Sequence, residues 1–123
     1  MKTTTLFFLA FLLVPFFTNA QSTSVDAALQ KGSAADLSTS FAKNIDLLLL
    51  GDESTVTVQQ ATTMLADFFT KSIVKGYKQN HTSAAQNGKS NYSIGDLFTE
   101  KGTYRVTIFY DASKKISELR IEK

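Results

Sequence analysis

The chain contains no cysteine, no tryptophan, one proline and one histidine in 123 residues. Without cysteine there is neither a disulfide framework nor a thiolate zinc site, and His81 alone cannot build a transition-metal centre. The same shortage removes nucleophilic triads, because His81 would be the only base and no serine sits in a G-x-S-x-G turn. Six scattered glycines form no phosphate loop. Asp52 and Glu53 lack the spaced oxygen ligands of a calcium loop. Thirteen basic against eleven acidic residues leave a net charge of +2, too little of one sign for a nucleic-acid face. Lys71, Lys75 and Lys78 read instead as a helix end followed by a guarded sheet edge. No catalytic residue, cofactor or metal is expected.

What is present begins with a leader. Met1 and Lys2 precede an apolar run from Leu6 to Phe17, and Thr18, Asn19 and Ala20 supply a small-x-small cleavage pattern. Twelve apolar residues reach about 18 Å as a helix, short of the roughly 30 Å hydrocarbon core. Residues 1–20 are therefore expected to be a cleaved signal peptide, and residues 21–123 a single exported domain, periplasmic or secreted. No membrane span is expected after cleavage. The remaining chain has apolar material for one core, and in the absence of disulfides packing alone must hold it.

Along that domain, Val25, Ala28 and Leu29 recur at helical spacing until Gly32 stops them. Ser33 caps a second short helix whose expected face is Leu37 and Phe41. Residues 44–50 read as a strand, 51–54 as a turn and 55–56 as a short return strand. Thr57 and Gln60 form a capping box, followed by Ala61, Met64, Leu65, Phe68 and Phe69 on one helix face. From Ile73 the period changes to two. Four antiparallel strands are expected, separated by turns at Asn87–Gly88, Lys101–Gly102 and residues 111–114. Helices with apolar stripes followed by a sheet with one apolar face make a two-layer α+β design.

The residues Ala61, Met64, Leu65, Asp67, Phe68 and Phe69, with the segments Tyr92–Gly95, Gly102–Val106 and Ser117–Lys123, resemble a family of small secreted Gram-negative proteins, domain of unknown function 4783. The element order resembles the nuclear-transport-factor-2-like, or cystatin-like, cone, with N-terminal helices packed on a curved antiparallel sheet. The family implies no activity, cofactor or catalytic residue, and the superfold hosts both enzymes and binding domains. The first expectation is an exported non-enzymatic binding or interaction domain, taking a small hydrophobic ligand or a protein partner. The alternative is a small pocket enzyme transferring a proton on a hydrophobic substrate, as isomerases and dehydratases do, with Asp96 or Asp46 as base. If Tyr92, Ile94, Phe98, Tyr104, Val106, Ile108 and Tyr110 face inward, a pocket is expected among Phe68, Tyr92, Asp96, Tyr104 and Tyr110. The outward face then carries Arg105, Phe109 and Arg120, a mixture suited to an interface. Superfold relatives often dimerise across that face, which implies a homodimer by analogy.

Overall fold

Gly32 ends the first helix by adopting φ +66°, the left-handed conformation that costs glycine least. There it donates its amide to Leu29, and Ser33 donates to Ala28, the paired bonds of a Schellman-type cap. The computed structural model describes residues 21–83 and 91–123. The expected leader and the Asn87–Gly88 turn lie outside these residues.

The elements are α1 (Gln21–Lys31), α2 (Ala34–Ser38), β1 (Phe41–Leu49), β2 (Asp52–Thr57), α3 (Val58–Lys71), β3 (Val74–Ser83), β4 (Asn91–Thr99), β5 (Gly102–Tyr110) and β6 (Ile116–Glu122). The Ser33 hydroxyl accepts the Asp36 amide at the start of α2. Thr57 and Gln60 form the reciprocal capping box of α3, which satisfies two amides left orphaned by the helix start.

All six strands join one sheet in the order β2-β1-β6-β5-β4-β3. β1 lies parallel to β6, with Leu47 beside Leu119, and every other neighbouring pair is antiparallel. The sheet is therefore mixed and mostly antiparallel, with the expected four-stranded meander extended by the β1–β2 hairpin. Two further boundaries differ from the sequence expectation. Phe41 opens β1 and is buried, because α2 ends at Ser38. The β1–β2 turn is only Leu50–Gly51, with φ of 52° and 94°, as a type I′ hairpin requires. Residues 52–54 are polar because β2 is an exposed edge strand.

The helices lie over one face. Leu29, Leu37, Leu65, Ile45, Leu47, Val106, Ile108, Leu119 and Ile121 have no exposed surface and form one core. Helix α1 packs on β3, α2 on α1 and α3, and α3 on β1 and β2.

In β4 the alternation runs opposite to expectation. Ser93, Gly95, Leu97 and Thr99 are buried on the inner face, while Tyr92, Ile94, Asp96 and Phe98 turn outward. Tyr77 of β3 supplies the reason. A Cβ on Gly95 would sit 2.3 Å from the Tyr77 hydroxyl and 2.6 Å from the Lys78 carbonyl oxygen, so the Tyr77 side chain occupies the space a residue-95 side chain would need. Small inward residues on β4 make room for one large residue on β3, and the larger apolar groups of β4 take the other face. A Gly95→Ala substitution should therefore destabilise the fold by about 1–3 kcal/mol, the cost of overpacking against groups that cannot retreat. A denaturant midpoint lowered with an unchanged slope would show it, and an unaltered midpoint would refute the packing account.

Candidate functional site

Inside the cone, the residues expected to line a pocket are partly in contact. Phe68 and Tyr104 are buried and meet edge to face, with ring centroids 5.4 Å apart; Phe68 also packs against Phe69 at 5.6 Å. Tyr110 is half-buried against the same core. Tyr92 and Asp96, assigned inward by the period of β4, lie on the opposite face. The interior between α3 and the sheet is thus occupied by the protein's own aromatic side chains.

A polar group forms at the α1 side of this interior, from residues the sequence reading passed over. Tyr77 is buried, and its hydroxyl has no hydrogen-bond partner among the described residues. Burial holds that phenol well above its ordinary range, and the nearby charge of Asp26 reinforces the effect. Tyr110 is raised by burial too, offset in part by a hydrogen bond from Ser93. Burial raises the Asp26 carboxyl above its ordinary 3.8. Both phenols stay neutral at physiological pH, and the carboxyl is the costly charged member of the group. Asp26 was hard to find from sequence because it sits on the flank of the Val25, Ala28 and Leu29 stripe, where a polar residue ordinarily reaches solvent.

The outer face of the sheet is covered by no described element. Tyr92 is paired across from Phe109, and their rings lie 5.9 Å apart; on the other side of Tyr92, His81 follows at 5.8 Å. The Arg120 guanidinium lies over Phe109, 5.7 Å from its centroid, and forms an ion pair with Glu118. Ile94 and Leu48 are half-buried on this face, and Phe98 is 39% exposed. Of the residues expected at an interface, Phe109 and Arg120 meet directly. Arg105 stands on the same face, between Asp96 and Glu122 in the register. The two carboxylates considered as bases are on this face as well: Asn80 donates to Asp96 at 2.8 Å, and Thr55 donates to Asp46 at 2.6 Å.

The edges of the sheet are guarded. β3 carries exposed Lys75 and Lys78 and two register shifts against β4, and β2 is a short strand bearing Asp52 and Glu53. Charges, bulges and shortness are the usual defences against strand addition. Two surface clefts lie among the described residues. One, of about 620 Å³, is lined by Leu50, Gly51, Tyr104, Glu122 and Lys123. The other, of about 450 Å³, lies between β2 and α3 beside Val56 and Met64. Among the described residues no group of His, Cys, Asp or Glu is placed to hold a metal ion, and no helix is long and apolar enough to cross a membrane.

The family model described as "Domain of unknown function (DUF4783)" matches residues 22–122, and the chain belongs to that family. It is similar to a DUF4783 family protein from Bacteroides ovatus, with 32% identity over 81% of this chain and 92% of the other, and a TM-score of 0.73. More distant likeness extends to an NTF2-like protein of unknown function from Exiguobacterium, 16% identical over 82% and 95% of the two chains with a TM-score of 0.59. A protein with a cystatin-like fold from Silicibacter pomeroyi aligns at 7% identity over 83% and 72%, with a TM-score of 0.61. These two establish the fold alone. No curated protein matches the chain.

Two predictions follow from the polar group inside the cone. Tyr77→Phe removes a buried hydroxyl with no described partner, a group whose burial costs about 1–3 kcal/mol, so the variant should melt higher than the parent. A lower melting temperature would mean that the hydroxyl is bonded in the folded protein. For Asp26, a folded-state pKa above the unfolded value means that the folded chain binds more protons, so stability falls as pH rises from 3.8 through the raised value. Asp26→Asn should raise the melting temperature at pH 7 and flatten that part of the stability profile; an unchanged profile would contradict the assignment.

Proposed function

We propose that this chain is an exported, non-enzymatic interaction domain whose working surface is the open face of the sheet. The observation that carries the reading is the outward set of β4. Tyr92 and Ile94 are directed away from the core and continue into Phe109 of β5, while Phe98 stands beyond Asp96 on the same face and Leu48 of β1 beyond Thr107 and Arg120. A contiguous apolar stripe rimmed by charged groups is how a protein-binding face differs from ordinary surface. The guarded edges argue against recognition by strand addition and leave the face as the surface available. Because the cone is filled by Phe68, Phe69 and Tyr104, a protein partner suits the chain better than a hydrophobic small molecule. The proton-transfer alternative draws no support from Asp96 or Asp46, which stand outside the cone. Export rests on the leader pattern.

The test is Phe109→Asp, which puts a charge in the centre of the stripe without touching the core. The variant should keep a melting temperature within a few degrees of the parent and weaken association of the purified protein by about tenfold or more, the effect typical of a central aromatic anchor. Sedimentation velocity, with cross-linking in the exported fraction, reads this. Undiminished association, with itself and with cross-linked partners alike, would move the working surface elsewhere.

A further inference from the structure

The β1–β2 hairpin turns on a residue whose conformation its own type disfavours. Leu50 has φ 52°, in the left-handed region where a side chain is crowded by its own backbone and a type I′ turn ordinarily holds asparagine or glycine. Its amide donates to the Ile121 carbonyl at 3.0 Å, which holds the turn against the end of β6. The side chain is 52% exposed, so burial does little to offset the strain. Among the described residues the other non-glycine with positive φ is Lys114, at 62°, a charged and solvated turn residue. An apolar residue that is both strained and exposed points to a role outside folding.

Leu50 lines the cleft of about 620 Å³ at this end of the sheet, with Gly51, Tyr104, Glu122 and Lys123. Tyr104 is 5% exposed. Phe68 packs against its ring without lining the cleft, so Tyr104 is the boundary between the cleft and the filled interior. Among the described residues the Tyr104 hydroxyl makes no hydrogen bond, and unlike that of Tyr77 it is not cut off from solvent. The Lys123 ammonium lies over the same ring, 5.8 Å from its centroid, and has no ion-pair partner among the described residues. Glu122 belongs to the rim, because alternation along β6 turns it toward Arg105 on the open face. The cation that faces the cleft is therefore Lys123.

We propose that this cleft binds a small carboxylic acid with an apolar body. The carboxylate pairs with the Lys123 ammonium and accepts from the Tyr104 hydroxyl, while the apolar body covers Leu50. An exposed leucine, an unbonded hydroxyl on a nine-tenths buried residue and an unpaired ammonium each lack a partner in the free protein. One such ligand supplies all three. An amide of the same shape would leave the ammonium unpaired, and an inorganic anion would leave Leu50 uncovered. The volume is within the range of small-molecule sites. None of the lining residues belongs to the aromatic stripe, so the site is independent of the reading of the open face.

The probes are octanoate and 3-phenylpropionate, with octanamide as the neutral match, titrated into the purified chain and followed by NMR shifts. Both acids should give saturable shifts at Leu50, Gly51 and Tyr104, with a dissociation constant of about 1 mM or tighter for ligands of so few atoms. Octanamide should bind about tenfold more weakly than octanoate, and Lys123→Gln should lower octanoate to the affinity of the amide. Leu50→Asn installs a residue that accepts the left-handed turn. It should raise the melting temperature and weaken both acids by about threefold or more. No saturable shift at the three residues up to about 10 mM of either acid would overturn the site. Octanamide binding as tightly as octanoate would overturn the carboxylate as the recognised group. Full affinity in Leu50→Asn would overturn the apolar wall on which the assignment stands.

Discussion

The close approach of Tyr77 to Gly95 determines which way β4 faces, and much of the molecule follows from it. With the Tyr77 side chain lying in the space a residue-95 side chain would need, β4 can present only small groups and Leu97 inward. Its period-two partners, Tyr92, Ile94 and Phe98, must then appear on the open face, because a strand offers only two faces. A single packing demand inside the cone thus generates the apolar surface outside it. The Tyr77 hydroxyl, buried with no described partner, is the cost of that arrangement. The nearby Asp26 and Tyr110 keep that phenol neutral without bonding to it.

The outer stripe has a consistent chemistry. His81, Tyr92 and Phe109 come from three successive strands, and Arg120 from a fourth closes the row over the Phe109 ring. Aromatic rings carry large contact area with few rotatable bonds, and arginine adds a planar set of donors that stacks on them, which is why both concentrate at binding surfaces. The charged rim is unevenly distributed, acidic toward β2 and basic toward β3. The two sheet edges share that polarity, Asp52 and Glu53 on one and Lys75 and Lys78 on the other, and both are protected from strand pairing.

Much of this was legible in the sequence. The capping box at Thr57 and Gln60, the stripe on α3, the Gly32 and Ser33 caps and the alternation in β5 each have a local physical signature, and the α+β class follows from their order. The inward direction of Tyr104, Val106, Ile108 and Tyr110 was readable because three of their four alternates, Thr103, Arg105 and Thr107, are polar or charged. β4 misled because its larger residues face outward, and only the tertiary neighbour Tyr77 explains why. The parallel pairing of β1 with β6 was likewise invisible, since no local pattern records which strand lies beside the C-terminal one. Phe41 was assigned to a helix face because it stands four residues after Leu37; the structure ends that helix three residues earlier. The Asp26 group escaped notice because its members are far apart in sequence and individually ordinary.

The central claim is that the open face of the sheet is covered when the protein performs its role. The most direct measurement is solvent paramagnetic relaxation at the methyl groups of Leu48, Ile94, Leu50 and Ile73, recorded as protein concentration rises. Leu50 and Ile73 are 52% and 53% exposed, in the β1–β2 turn and just before β3, outside the strands that carry the stripe, and serve as internal references. The account predicts that Leu48 and Ile94 lose relaxation as the face is covered, while Leu50 and Ile73 keep theirs. Equal and constant relaxation at all four, up to the highest concentration at which the protein remains soluble, would contradict it.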